Sequence, residues 1–246
     1  MLVAQELVVT KRLESVSASF RAGEVTAICG PNGAGKSTLL ACLAGLLSPD
    51  RGSVTLDSAL LSNLAPAERA RLIGFLPQTP EVAWDLNVET LVALGRLPWR
   101  ASPEEDAAAV EAAIETMDLA ALRYRVVTSL SGGERARALV ARVLAGNPRW
   151  LLADEPLANL DMRHQMLLLG ALRGLAKQQG LGVVLVLHDL AQAMNFADRV
   201  LVLVDGSVLA DGTPQGALAA DVIAAGWGVE VCWLGKDGAK ALATTG

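Results

Sequence analysis

VTAICGPNGAGKST, residues 25 to 38, decides the fold. An apolar run of strand length, Val25 to Cys29, opens into glycine, four residues, glycine, lysine and serine, which is the spacing of a P-loop. Gly30, Gly33 and Gly35 permit the φ > 0 turns that aim successive backbone N–H groups inward. With Pro31, Asn32 and Ala34 between them they make a concave cradle for phosphate oxygens. A helix starting near Lys36 adds its positive N-terminal end. Lys36 is then placed to reach the β- and γ-phosphates of a nucleotide, and the Ser37 hydroxyl to ligate Mg²⁺. Thr38 is the next donor along. A glycine-rich turn can match such a pattern by chance, but a strand before it and a helix after it favour nucleotide binding.

Length and charge bound the setting. A chain of 246 residues can bury a large α/β core or a core with an inserted subdomain. The net charge of −5 and pI near 5.1 argue against a nucleic-acid partner, which calls for a basic face. Cys29, Cys42 and Cys232 are odd in number and lack CxxC spacing, so reduced thiols in a cytosolic compartment are expected. The start MLVAQELVVT has no cationic stretch before a long apolar one, so no signal peptide is expected. Apolar runs stay at strand length and far short of a membrane span. A mean hydropathy of +0.39 leaves room for adhesive surfaces meant for a partner.

Short β-branched runs alternate with longer helical ones, the pattern of a mostly parallel sheet flanked by helices. Strands are expected at Val25 to Cys29, Leu72 to Leu76, Trp150 to Ala153, Val183 to Leu187 and Val200 to Val204. Helices are expected at Ser37 to Leu46, Pro103 to Met117, Gly133 to Ala145, Met162 to Gln179 and Leu190 to Phe196. Residues 79 to 146 carry no strand-like run and read as a helical subdomain inserted between two strands, within a single domain spanning 1 to 246. Asp50-Arg51-Gly52 and Asp205-Gly206 read as turns inside strand pairs. The helix from Ser102 to Ala121 has an acidic start suited to the helix dipole and is assigned no chemistry.

Downstream, the apolar strand Trp150 to Ala153 ends in two carboxylates. In a P-loop enzyme Asp154 would hold Mg²⁺, and Glu155 could orient and deprotonate an attacking water. Ser131, Gly132 and Gly133 precede a helix and form a second anion-binding N-terminus. One nucleotide needs one cradle, so two cradles suggest sites facing each other across a dimer.

LSGGE at 130 to 134, just upstream of LLADEP at 151 to 156, resembles the signature motif of ATP-binding cassette (ABC) ATPases, with glutamate where glutamine is commoner. The family's remaining motifs follow in order. Gln78 matches the Q-loop glutamine, Asn159-Leu160-Asp161 the D-loop, and His188 the switch histidine. The resemblance implies an ABC ATPase fold: a P-loop core, an N-terminal antiparallel β part, the helical insert, and residues 213 to 246 as a C-terminal extension. It also implies a head-to-tail homodimer with ATP and Mg²⁺ between the P-loop of one copy and Ser131 and Gly133 of the other. Glu155 would act as base or water positioner, His188 would bond the γ-phosphate, and Gln78 would sense Mg²⁺ and the water, with Asp161 of the D-loop among the nucleotide-binding residues where the two copies meet. No aromatic stands at Val8 to Leu13 to stack on adenine, which leaves Arg12 to stack through its guanidinium. Ala158 replaces the usual D-loop serine. His164 reads as a surface residue, and Trp84 and Trp99 as packing or partner contacts.

Leu91 to Trp99 and Trp227 to Val231 resemble the ATPases of bacterial importers for iron-siderophore, heme and cobalamin, and the short stretch before the P-loop is most similar to the cobalamin ATPase. The resemblance implies a peripheral ATPase on the cytoplasmic side of the inner membrane. It would dock a short permease helix in a groove around Pro80 to Leu97 and act indirectly with a solute-binding protein. The rivals are a soluble cassette of DNA repair, translation or cluster assembly, a cassette for another cargo or for export, and a non-hydrolysing structural cassette.

Overall fold

The computed structural model describes residues 1–78, 85–158 and 160–245. In chain order its elements begin with β1 (Leu2–Val9), β2 (Leu13–Phe20), β3 (Val25–Cys29), α1 (Lys36–Leu43), β4 (Arg51–Leu56), β5 (Ala59–Leu60), α2 (Pro66–Leu72) and β6 (Ile73–Leu76). Three helices follow, α3 (Val88–Ala93), α4 (Pro103–Thr116) and α5 (Gly132–Ala145), before β7 (Trp150–Asp154). The second half holds α6 (Met162–Gln179), β8 (Gly182–Val186), α7 (Leu190–Phe196), β9 (Arg199–Val204), β10 (Ser207–Gly212), α8 (Pro214–Ala217), α9 (Ala220–Trp227), β11 (Val231–Lys236) and β12 (Ala239–Thr244).

The central six-stranded sheet runs β10-β9-β3-β8-β7-β6 and is parallel except for β10. Its inner strands are buried on both faces, as near-continuous apolar runs require. Alternation then sorts their side chains into two cores. Ala27, Cys29, Leu151, Ala153, Val183, Leu185, Val200 and Val202 pack toward α3 to α9. Ile28, Trp150, Leu152, Val184, Val186, Leu201 and Leu203 pack toward α1 and the antiparallel sheet β2-β1-β4-β5. The P-loop strand β3 pairs with β8 on one side and β9 on the other, so the strand order reverses around it. The crevice at the carboxyl ends of such strands is where α/β sheets bind ligands. Gln78, Asp154-Glu155 and His188 all stand at or just beyond the carboxyl ends of β6, β7 and β8.

Two local expectations need correction. Gly45, at φ +68, stops α1 at Leu43 instead of Leu46, and Leu46 is left 62% exposed. Asp50-Arg51-Gly52 is not a turn between paired strands. Arg51 and Gly52 already belong to β4, which pairs with β1, and Asp50 accepts hydrogen bonds from the Thr10 backbone N and hydroxyl at 2.7 Å each. The turn in that region is Asp57-Ser58, between β4 and β5. Asp205-Gly206 does join β9 to β10, both at positive φ. Trp84, the part of the expected groove from Pro80 to Trp84, and Asn159 lie outside the described residues.

Candidate functional site

The chain leaves β3 through Gly30, Gly33 and Gly35, at φ +150, +82 and +96. A Cβ on Gly35 would stand 2.6 Å from the Arg12 carbonyl oxygen, so the Thr10–Arg12 turn presses directly on the loop. Arg12 lines one cavity of about 160 Å³ with Asn32 to Thr38, Glu155 and His188. Helices α3 to α8 are each capped by a side chain, but α1 starts at Gly35 with none. Its first-turn N–H groups therefore remain available to an anion. Lys36 is buried, and its Nζ donates to the carbonyls of Gly30 and Pro31 at 2.8 Å each. Burial lowers its pKa, and Glu155 is the strongest of the neighbouring charges that oppose the shift.

Asp154 ends β7 at 5% exposure, and its Oδ1 has no hydrogen-bond partner. Desolvation raises its pKa, countered first by the Ser37 hydroxyl and reinforced by Glu155. A half-satisfied buried carboxylate beside a serine hydroxyl suits a hard cation with oxygen ligands, so the pair Asp154 and Ser37 fits Mg²⁺. Because the folded-state pKa is raised, the cost of ionising Asp154 grows as pH rises from the free-carboxylate range through the raised value. Asp154→Asn is therefore expected to raise the melting temperature of the nucleotide-free chain at pH 7 by about 2–4 °C, the shift that about 1 kcal/mol produces at this size. The gain should vanish below the free-carboxylate range. Scanning calorimetry in a chelator checks this, and a melting temperature that falls would contradict it.

Glu155 sits immediately after the strand in a left-handed conformation, φ +51, which a non-glycine residue adopts at a cost of about 1–3 kcal/mol. That turn sets its carboxylate between two side chains. Gln78 Nε2 donates to Oε2 at 2.9 Å, and His188 Nε2 stands 2.5 Å from Oε1. The next residue, Asp189, caps α7 by accepting from the backbone N–H groups of Ala191 and Gln192, which fixes where that helix starts beyond His188. The structure thus brings Gln78, Glu155 and His188 together, with Glu155 and His188 on the P-loop cavity.

The signature residues stand apart from that cavity. Ser131 caps α5 in a reciprocal box with Glu134, and Gly132 lines a separate space of about 330 Å³ with Gln78 and Glu155. Asp161 caps α6, accepting from the His164 backbone N at 2.9 Å. His164 is not the plain surface residue expected. Its Nδ1 lies 2.8 Å from Asp161 Oδ1, and its ring packs on Gly133, where a Cβ would come within 2.3 Å of the imidazole Cγ. His164 therefore joins the D-loop to the signature helix. The signal for it was its place three residues into a helix capped by Asp161.

A larger cavity, about 690 Å³, opens at the opposite end of the sheet beside Arg96, Trp99 and Arg149. Its arginines are already paired, Arg96 with Asp106 at 2.6 Å and Arg149 with Asp57 at 2.7 Å, and its Glu105 accepts from the Ser102 backbone N–H in the α4 cap, so it offers no converging chemistry. Cys29 and Cys42 are buried, and burial pushes their thiols up to about 12 and about 11. Cys232 is half-buried on β11. All three are free.

A family model described as ABC transporter matches residues 13–158. The chain is 41% identical over 241 residues to the hemin import ATP-binding protein HmuV of Bordetella avium (strain 197N), covering 93% of this chain and 92% of that protein. It is 45% identical over 213 residues to the protein of the same name from Nocardia farcinica, covering 86% and 74%. An inward-facing metal-chelate-type ABC transporter matches with a TM-score of 0.85 at 26% identity, over 99% of this chain and 96% of that one. A bacterial ABC transporter cassette solved as a dimer matches at 0.77 and 28%, over 88% and 100%. With the match running from β2 past the carboxylate pair, and a P-loop facing Glu155 and His188, this chain belongs to the ABC transporter family as one of its ATPase cassettes.

Proposed function

We propose that the chain is the ATP-hydrolysing subunit of an importer for heme or a similar metal chelate, working as a head-to-tail pair on the cytoplasmic face of a membrane permease. The observation that carries hydrolysis is the seating of Glu155 between Gln78 and His188 at the mouth of the P-loop. The cargo reading follows the two hemin-import relatives. In this reading the Gly30–Thr38 loop and the open end of α1 bind the phosphates, with Arg12 beside the base. Mg²⁺, held by Ser37 and Asp154, would neutralise charge on the phosphate oxygens. Glu155 orients the attacking water and takes its proton, while His188 steadies both Glu155 and the terminal phosphate. Ser131 and Gly133 of the second copy complete the phosphate shell, and Asp161 lies at the contact between copies. Nucleotide then joins the two copies, and its cleavage lets them part.

Residues 79–146 act as a helical subdomain and 213–246 as a C-terminal extension. No helix among the described residues is long and apolar enough to cross a membrane, and in this reading a permease supplies the path through it. Support for its docking place comes from Leu97, 78% exposed on a braced platform. Trp99 lies under the guanidinium groups of Arg71 and Arg96, at 5.3 and 4.8 Å from the ring centroid, and Arg71 Nε also donates to the Pro98 carbonyl at 2.8 Å. Reconstitution in vesicles with a permease of a metal-chelate importer tests the proposal. ATP turnover should rise and heme should accumulate inside when a heme-loaded solute-binding protein is added. Turnover indifferent to the permease, or co-purification with ribosomes or DNA, would sink the transport reading.

A further inference from the structure

Two segments leave the sheet side by side: the stretch after Glu155 at the end of β7, and the stretch after His188 at the end of β8. One primary amide ties them. Gln165, in the first turn of α6, donates from Nε2 to the carbonyls of Leu160 at 3.1 Å and Leu157 at 3.3 Å. Its Oε1 accepts from Gln192 Nε2 at 2.7 Å, and Gln192 lies on α7, four residues beyond His188. Gln165 and Gln192 line one space of about 250 Å³ together with Glu155, Leu157, His188 and Asp189. A primary amide is the side chain that supplies two donors and one acceptor in a single plane at this reach. Glutamate would lose both donors, and leucine would lose everything but volume.

We propose that Gln165 is a positioning residue that locks the D-loop backbone to the helix behind His188, so that the histidine is in register for hydrolysis only when the D-loop is seated. The inference rests on the reading of Glu155 and His188 as the hydrolytic pair. Gln165 touches neither nucleotide site directly; it acts through Leu157 and Leu160 on one side and Gln192 on the other. Because Asp161, which caps the same helix, faces the contact between copies in the proposed dimer, seating of the partner would reach the helix behind His188 through this side chain, beside the direct contact of Glu155 with His188. His164, the preceding residue, extends the same first turn to Gly133 of the signature helix.

The test uses the full-length chain and Gln165→Leu, Gln192→Leu and the double variant. Each single substitution is expected to lower kcat by about tenfold and leave the KM for ATP within about twofold, because the link orients groups without binding nucleotide. The double variant should be no slower than the slower single one, as expected for two ends of one link. Hydrogen exchange on the nucleotide-free chain should speed up by about tenfold both in residues 157–161 and in α7, in either single variant. A purely structural residue would not produce that paired response. Unchanged kcat in both single variants, multiplicative losses in the double, or exchange that rises only within α6 would overturn the inference. Should Gln165→Leu fold poorly, Gln192→Leu on the separate helix decides alone. If the unsubstituted chain hydrolyses no ATP in the assembled transporter, the functional reading fails, while the exchange measurement still judges the link.

Discussion

Glu155→Gln is expected to cut steady-state ATP hydrolysis by about 10²–10⁴-fold, the usual worth of a positioned general base. ATP should still bind within about threefold, a difference below about 0.7 kcal/mol. Glutamine keeps the volume and one acceptor oxygen, so the Gln78 amide at 2.9 Å retains a partner. What is lost is the ability to take a proton from water and the charge facing His188. Removing the charge also takes away the strongest local support for protonated Lys36, whose pKa burial already lowers. Single-turnover hydrolysis and equilibrium nucleotide binding, measured on the same preparation, separate the two effects. A variant that turns over at the normal rate would take Glu155 out of the role assigned to it.

Lys36→Ala should weaken ATP binding by about 10- to 100-fold, the loss of hydrogen bonds to a charged group worth about 1.5–3 kcal/mol. The prediction rests on placement: the ammonium group lies within the P-loop cavity, bonded to the Gly30 and Pro31 carbonyls. The alanine variant leaves the loop's glycine geometry and the uncapped start of α1 intact, so weak binding should persist. Isothermal titration with ATP and Mg²⁺ measures it. Unchanged affinity would mean that phosphates bind elsewhere.

Each strongly legible part of the site is a short string at the end of a buried strand. The P-loop, Asp154-Glu155 and His188 could be read because the strand, the turn and the chemistry are contiguous, and the sheet then brings their ends together. The first two strands were less legible one by one. Glu6 and Ser15 adopt positive φ, and the pairing of β1 with β2 shifts register between Ala4 and Leu7, so strict alternation is broken. Asp50 misled for a related reason. Its turn-like sequence serves a bond to Thr10, 40 residues away, and not a local reversal. The terminal hairpin β11–β12 is short and largely exposed, and part of what secures it is remote: Asn195 on α7 both donates to and accepts from the Lys240 backbone. Gln165 and Gln192 stand 27 residues apart on the polar parts of two helices, where nothing local distinguishes them from ordinary solvated glutamines.

The most direct test of nucleotide clasped between two copies is the mass in solution of the Glu155→Gln chain with ATP and Mg²⁺, by light scattering. The account predicts a dimer that forms with ATP, carries two nucleotides and falls apart when ATP is replaced by ADP. A chain that stays monomeric with bound ATP, alone and in the assembled transporter, would contradict it.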